Sequence, residues 1–178
     1  MNSLAGSLAC LAVAILNVNG DCDFGPIFRF HPNWMENTWY VVYSSPSAFD
    51  EANNVSFSYE LQGHSHYVAH VGITFADIGT AKEINGTVTA LDFGTKFNVQ
   101  LPEWSKYSGT YRVTALEYGN YLIAKGCPEK STVKSFTVVM FSKKCPDEAS
   151  VGAARAALKK YLNENLEHYA KDTFLNCP

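Results

Sequence analysis

The sequence predicts an all-β protein: eight antiparallel strands in up-and-down succession, closed into a barrel, with one C-terminal α-helix packed outside. Three observations predict it. Apolar and polar residues alternate with period two in one run after another. Gly, Asn, Asp or Pro punctuate those runs at short spacing. A single segment of helical period follows the last strand-like run. Among 178 residues there are ten Tyr and eleven Phe, which suits strands around an apolar interior in one compact domain. The rival all-β architecture, an immunoglobulin-like sandwich, predicts no terminal helix and expects a Cys–Trp–Cys core that this chain lacks.

In chain order, residues 1–20 differ in kind. The apolar run 8–16 is too short to span a bilayer, and Val18-Asn19-Gly20 supplies small residues at a cleavage position. The segment reads as a secretory signal peptide, although no Lys or Arg precedes its apolar run. The mature domain is then 21–178, soluble and secreted. The first strand, 36–43, carries Trp39, placed to plug one end of the barrel. Val55, Phe57, Tyr59 and Leu61 alternate with polar residues in the second strand. Tyr67, Ala69, Val71, Ile73 and Phe75 share one face of the third, opposite His66, His70 and Thr74. Asp77-Ile78-Gly79 turns the chain into a strand over 82–91, with Ile84, Val88 and Ala90 inward. Phe93-Gly94 turns again, and Phe97, Val99 and Leu101 alternate until Pro102. Tyr111, Val113 and Ala115 mark the sixth strand. Runs 121–127 and 135–142 are nearly continuously apolar, as expected of two strands covered outside by a helix. That helix begins near Pro146 and Asp147, with Val151, Ala154, Leu158, Tyr161 and Leu162 on one face.

A net charge of −3 is too mild to argue for a nucleic-acid partner, and no run after the first twenty residues is long enough for membrane insertion. No nucleophile motif, phosphate loop or dinucleotide fingerprint occurs, so neither an enzyme nor a cofactor is expected. Cleavage would remove Cys10 and leave Cys22, Cys127, Cys145 and Cys177, an even set that implies two disulfides with three pairings open. Asn54-Val55-Ser56 and Asn85-Gly86-Thr87 are glycosylation sequons at Asn54 and Asn85. His64, His66 and His70 share a strand face and make a haem or metal site conceivable, but the face is the outer one by phase, and solvation is the simpler account.

Three short patterns resemble the signatures of the lipocalins. Asn37-Thr38-Trp39 stands where that family has Gly-x-Trp, Leu116-Glu117-Tyr118 where it has Thr-Asp-Tyr, and Lys143 where an Arg closes the last strand. The run 118–128, the helix after it and Cys177 are similar to insect lipocalins of the cockroach allergen and milk-protein type. The resemblance implies structural roles for Trp39, Glu117, Tyr118 and Lys143, with the lysine over the indole face. It also implies the pairings Cys22–Cys127 and Cys145–Cys177.

For the seventh strand the family pattern sets Leu122 and Ala124 toward the lumen, with Tyr121, Ile123 and Cys127 toward the helix. Phase supplies the rest of the lining: Val41, Tyr43, Phe57, Tyr59, Tyr67, Ala69, Val71, Phe97, Val99, Tyr111, Val113, Thr137 and Val139. The expected mouth is formed by 44–54, 102–106 and 128–133, with Phe49 and Trp104 as a lid or as ordinary loop anchors. The expected partner is a small hydrophobic or aromatic ligand, such as a pheromone, odorant or aromatic amine, held by a monomer or weak dimer. Two alternatives stand beside it: a barrel filled by its own rings, and a bulk nutrient or glandular protein that carries lipid incidentally.

Overall fold

A computed structural model of the chain describes residues 22, 24, 32–46, 48–76, 79–91, 94–130, 132–172 and 177. The expected signal segment 1–20 and the turn residues Asp77, Ile78 and Phe93 lie outside the described residues. The strands are β1 Thr38–Ser44, β2 Ala52–Leu61, β3 His66–Phe75, β4 Ala81–Leu91, β5 Lys96–Gln100, β6 Gly109–Glu117, β7 Tyr121–Pro128 and β8 Phe136–Phe141. Helix α1, Glu148–Leu162, follows, and then a two-residue strand β9, Ala170–Lys171. Neighbours pair antiparallel from β2 round to β8, β8 pairs with β1, and β1 returns to β2. The sheet therefore closes, which leaves no long edge exposed.

Closure divides the apolar residues into two cores. Trp39, Val71, Ile84, Leu101 and Leu122 pack inside the barrel. Val42, Ile123, Val139 and Phe141 pack outside it against Ala154, Ala157 and Leu158 of α1. The alanines let the helix axis approach the strands. All six residues of β8 are buried, because one face meets the lumen and the other meets α1 and the segment after it, which carries Leu166 and Tyr169. The Asp147 carboxylate caps α1 by accepting a 2.8 Å bond from the Ser150 amide, which holds its pKa below the usual range. Asn163, with φ 54°, ends the helix in the left-handed region. Disulfides join Cys22 to Cys127 on β7, and Cys145, just before α1, to Cys177.

Two expectations about phase are corrected here. Val41 opposes Met140 while Tyr43 opposes Val139, so Val42 is an extra residue in β1. This bulge reverses the alternation, and Tyr43 packs with the outer, helix-side core instead of the lumen. In β8, Ala124 opposes Val138 and Leu122 opposes Met140. Directly paired residues share a face, so Phe136, Val138 and Met140 are inward. Val139 lies in the outer core, and Thr137 faces Tyr169 beyond β8. An unbroken apolar run has no period from which this parity could be read.

β1 pairs with β2 only at Thr38, Trp39 and Tyr40. Farther along, β9 lies against Tyr43 and Ser44 of β1. Asp172 then bridges the two diverging strands: its amide donates to the Val42 carbonyl at 2.9 Å, and its carboxylate accepts from the Asn54 amide at 2.5 Å.

Candidate functional site

The barrel interior is closed at both ends by aromatic side chains. At the lower end the 3-10 turn Pro32–Met35 crosses the opening. Trp39 is fully buried above it, and its indole Nε1 donates to the Met35 carbonyl at 3.1 Å. That bond removes the one polar obstacle to burying the ring. Lys143 does not take the place expected of it. It is exposed and lies beside Asp147, and among the described residues no cation covers the indole. Glu117 and Tyr118 sit at the exposed β6–β7 turn, where the Tyr118 ring lies 6.1 Å from Trp34.

At the upper end Phe49, from the β1–β2 loop, occupies the centre. Its ring stacks on Trp104 at 5.3 Å and meets Tyr107 at 4.9 Å and Phe136 at 5.3 Å. Trp104 and Tyr107 come from the 3-10 segment Pro102–Tyr107 between β5 and β6. Polar bonds pin this roof. The Glu51 carboxylate accepts from Trp104 Nε1 at 2.6 Å and pairs with Lys106 Nζ at 2.6 Å. Tyr107 Oη donates to Asp50 at 3.5 Å, and Tyr111 Oη donates to the Tyr107 carbonyl at 2.5 Å. Phe49 and Trp104 thus act together as a cover.

Between floor and roof lies an open space of about 40 Å³, bordered by Phe57, Tyr59, Val88, Phe97, Val99, Tyr111, Val113, Leu122, Ala124, Val138 and Met140. That is room for a very few waters. Of the residues read from the sequence as lining, Phe57, Tyr59, Phe97, Val99, Tyr111, Val113, Leu122 and Ala124 border it. Val41, Tyr67, Ala69 and Val71 belong to the inner core but do not border the open space. Sequence reasoning missed Met35, Arg112, Phe136, Val138 and Met140. The last three follow from β7–β8 register, and Met35 from the crossing turn.

The interior is electrically quiet. No Asp or Glu borders the open space, and the one charged residue that does, Arg112, directs its guanidinium over the Phe24 ring 5.0 Å away. Phe57 and Tyr59 rings stack at 6.3 Å with 7° between planes. Burial pushes the Tyr59 and Tyr111 hydroxyls far above their ordinary pKa of 10.0, so both are neutral donors. The Tyr67 hydroxyl, also raised by burial and then by Glu36, has no hydrogen-bond partner among the described residues.

Comparison with solved structures gives one architecture repeatedly. The cockroach allergen Per a 4 superposes with a TM-score of 0.68 at 18% identity, over 83% of this chain and 90% of that one. A biogenic amine-binding protein gives 0.70 at 14% identity, over 87% and 88%. Insecticyanin from the tobacco hornworm Manduca sexta gives 0.66 at 14% identity, over 85% of each chain. This is the lipocalin fold. No family model matches the sequence, and neither does a curated protein.

Other candidate residues fall outside the lipocalin lumen. His66 lies 3.3 Å from the Thr89 hydroxyl, and His70 Nδ1 lies 2.7 Å from Asn85 Oδ1 and 3.3 Å from Glu83, all on the outer face of β3 and β4. Among the described residues no three His, Cys, Asp or Glu side chains gather as a metal site requires. Asn85 is exposed, whereas Asn54 is half-buried at the β2 bulge with φ 53°.

The roof bonds carry a pH dependence. Partial burial acts to raise the Glu51 pKa, but the bonds from Lys106 and Trp104 and the Lys106 charge outweigh it and hold the carboxyl below its ordinary 4.5. A depressed carboxyl contributes stability above its unfolded pKa and loses it as pH falls through the folded one. The Glu51→Gln chain should therefore melt below the native chain at neutral pH, and the gap should close below the ordinary glutamate range. A gap that persists in acid would show that the carboxylate charge plays no part in holding the roof.

Proposed function

We propose that this chain is a secreted lipocalin that binds one small, neutral, largely apolar or aromatic molecule in its barrel. The observation that carries this reading is the composition of the lumen: largely apolar walls, no carboxylate, and the Tyr59 and Tyr111 hydroxyls kept neutral by burial. Pockets of this kind take an apolar body and orient it through a few polar groups. The similarity to a biogenic amine-binding protein raises an amine as the ligand. An unpaired ammonium would be costly in this lumen, so an uncharged aromatic amine, pheromone or odorant fits it better than a charged amine. Secretion is supported by the two disulfides, which persist in oxidising compartments.

The small free volume favours a second reading, a bulk nutrient or glandular protein whose barrel holds lipid only incidentally. Titration with N-phenyl-1-naphthylamine, and mass spectrometry of material released from the native secretion, separate the two. A single bound species and saturable probe binding are expected. Mixed fatty acids, or no probe binding, would overturn the carrier reading. Tyr59→Phe should weaken a hydroxyl- or carbonyl-bearing ligand by about two- to tenfold and leave a hydrocarbon unchanged. Equal loss for both ligands would remove Tyr59 from its orienting role.

A further inference from the structure

A second pocket lies beside the lumen, in the gap where β1 and β2 part company. It holds about 230 Å³ and is bordered by β1, the β1–β2 loop, the start of β2 and the β9 segment. An apolar cavity of about 150 Å³ already admits benzene. Phe49 borders both this pocket and the lumen, and it is the one residue the two linings share.

We propose that the lumen and the side pocket are two chambers of one ligand site, with Phe49 as a movable partition. The inference rests on the binding function proposed above. Phe49 is suited to move. Its backbone, at φ 53°, occupies the left-handed region that a bulky side chain disfavours, so the surrounding contacts must hold it there. Its backbone is tied down, the carbonyl accepting from the Ala52 amide at 2.9 Å, but its ring is held by stacking alone, whereas the Trp104 and Tyr107 side chains in the roof are each pinned by a polar bond. Withdrawal of the ring joins the two spaces.

The chambers differ in chemistry, and that difference selects the ligand. The lumen is largely apolar, with the Tyr59 and Tyr111 hydroxyls as its few polar groups. The side pocket combines Val41, Ala52 and Val55 with Ser44 and Asn53. Asp50, Asp172 and Lys171 also border it; Asp172 is engaged by the Asn54 amide and Asp50 by the Tyr107 hydroxyl. An uncharged head with a hydroxyl or amide therefore suits the side pocket, and a hydrocarbon chain suits the lumen. The ligand class is an elongated neutral amphipath.

The test is competition of straight-chain alcohols, from 1-hexanol to 1-tetradecanol, against N-phenyl-1-naphthylamine on the full chain. In the native protein affinity should rise about fourfold for each added methylene up to the long alcohols. Phe49→Ala should strengthen the long alcohols most. Ala52→Leu, which fills the side pocket, should stop the rise at short chain length and weaken the long alcohols most. Asn53→Trp, at a half-buried position of the same pocket, gives the same reading if Ala52→Leu does not fold. Long alcohols that bind both filled variants as tightly as the native chain would overturn the two-chamber site and leave the barrel reading standing. A native chain that binds neither probe nor alcohol would overturn both.

Discussion

Trp39→Ala is expected to remove about 3–5 kcal/mol of folding stability, the usual range for deleting a large buried aromatic. Trp39 is fully buried at the foot of the barrel and its indole donates to the Met35 carbonyl. Truncation leaves a cavity where β1, the crossing turn and the lower lumen meet, and it also leaves that carbonyl without its partner. Against a typical domain stability of about 5–15 kcal/mol, such a loss brings the chain near unfolding at body temperature. Urea denaturation followed by circular dichroism measures it. A loss under about 1 kcal/mol would mean that the floor does not depend on this ring. Trp39→Phe, which keeps most of the volume but not the donor, should fall between the two.

The second large effect concerns the two disulfides. Cys22–Cys127 closes a separation of 105 residues, and Cys145–Cys177 one of 32. In the chain-entropy account, the stabilisation grows with the logarithm of loop length, to about 4.8 kcal/mol for the longer loop and about 3.7 kcal/mol for the shorter. Replacing Cys22 and Cys127 together by Ser should therefore lower the denaturation midpoint more than replacing Cys145 and Cys177. The longer bond also fastens the N-terminal arm to β7, whose other end carries Leu122 and Ala124 into the lumen. Equal midpoints for the two double variants, or a larger loss for the shorter loop, would show that local contacts outweigh loop entropy here.

Much of the architecture was legible because strand alternation is local. β3 is the clearest case: its odd-numbered residues from Tyr67 to Ile73 are buried and share the inner core. The β1 and β8 lining was less legible. One inserted residue at Val42 turned Tyr43 outward, and the unbroken apolar run of β8 concealed that Val138 and Met140, not Val139, face the lumen. The place given to Lys143 came from a resemblance, and the exposed side chain beside Asp147 does not take it.

The sequence by itself determined the eight barrel strands, the single helix packed outside them, and the apolar character of the interior, while the short β9 escaped it. Each depends on period and composition within a short window. Only the tertiary structure decided which faces of β1 and β8 meet the lumen, how little space is left inside, and that Phe49 borders both the lumen and the pocket beside it. Those facts depend on register between strands distant in sequence and on how rings from separate loops share one volume, and no local pattern carries that information.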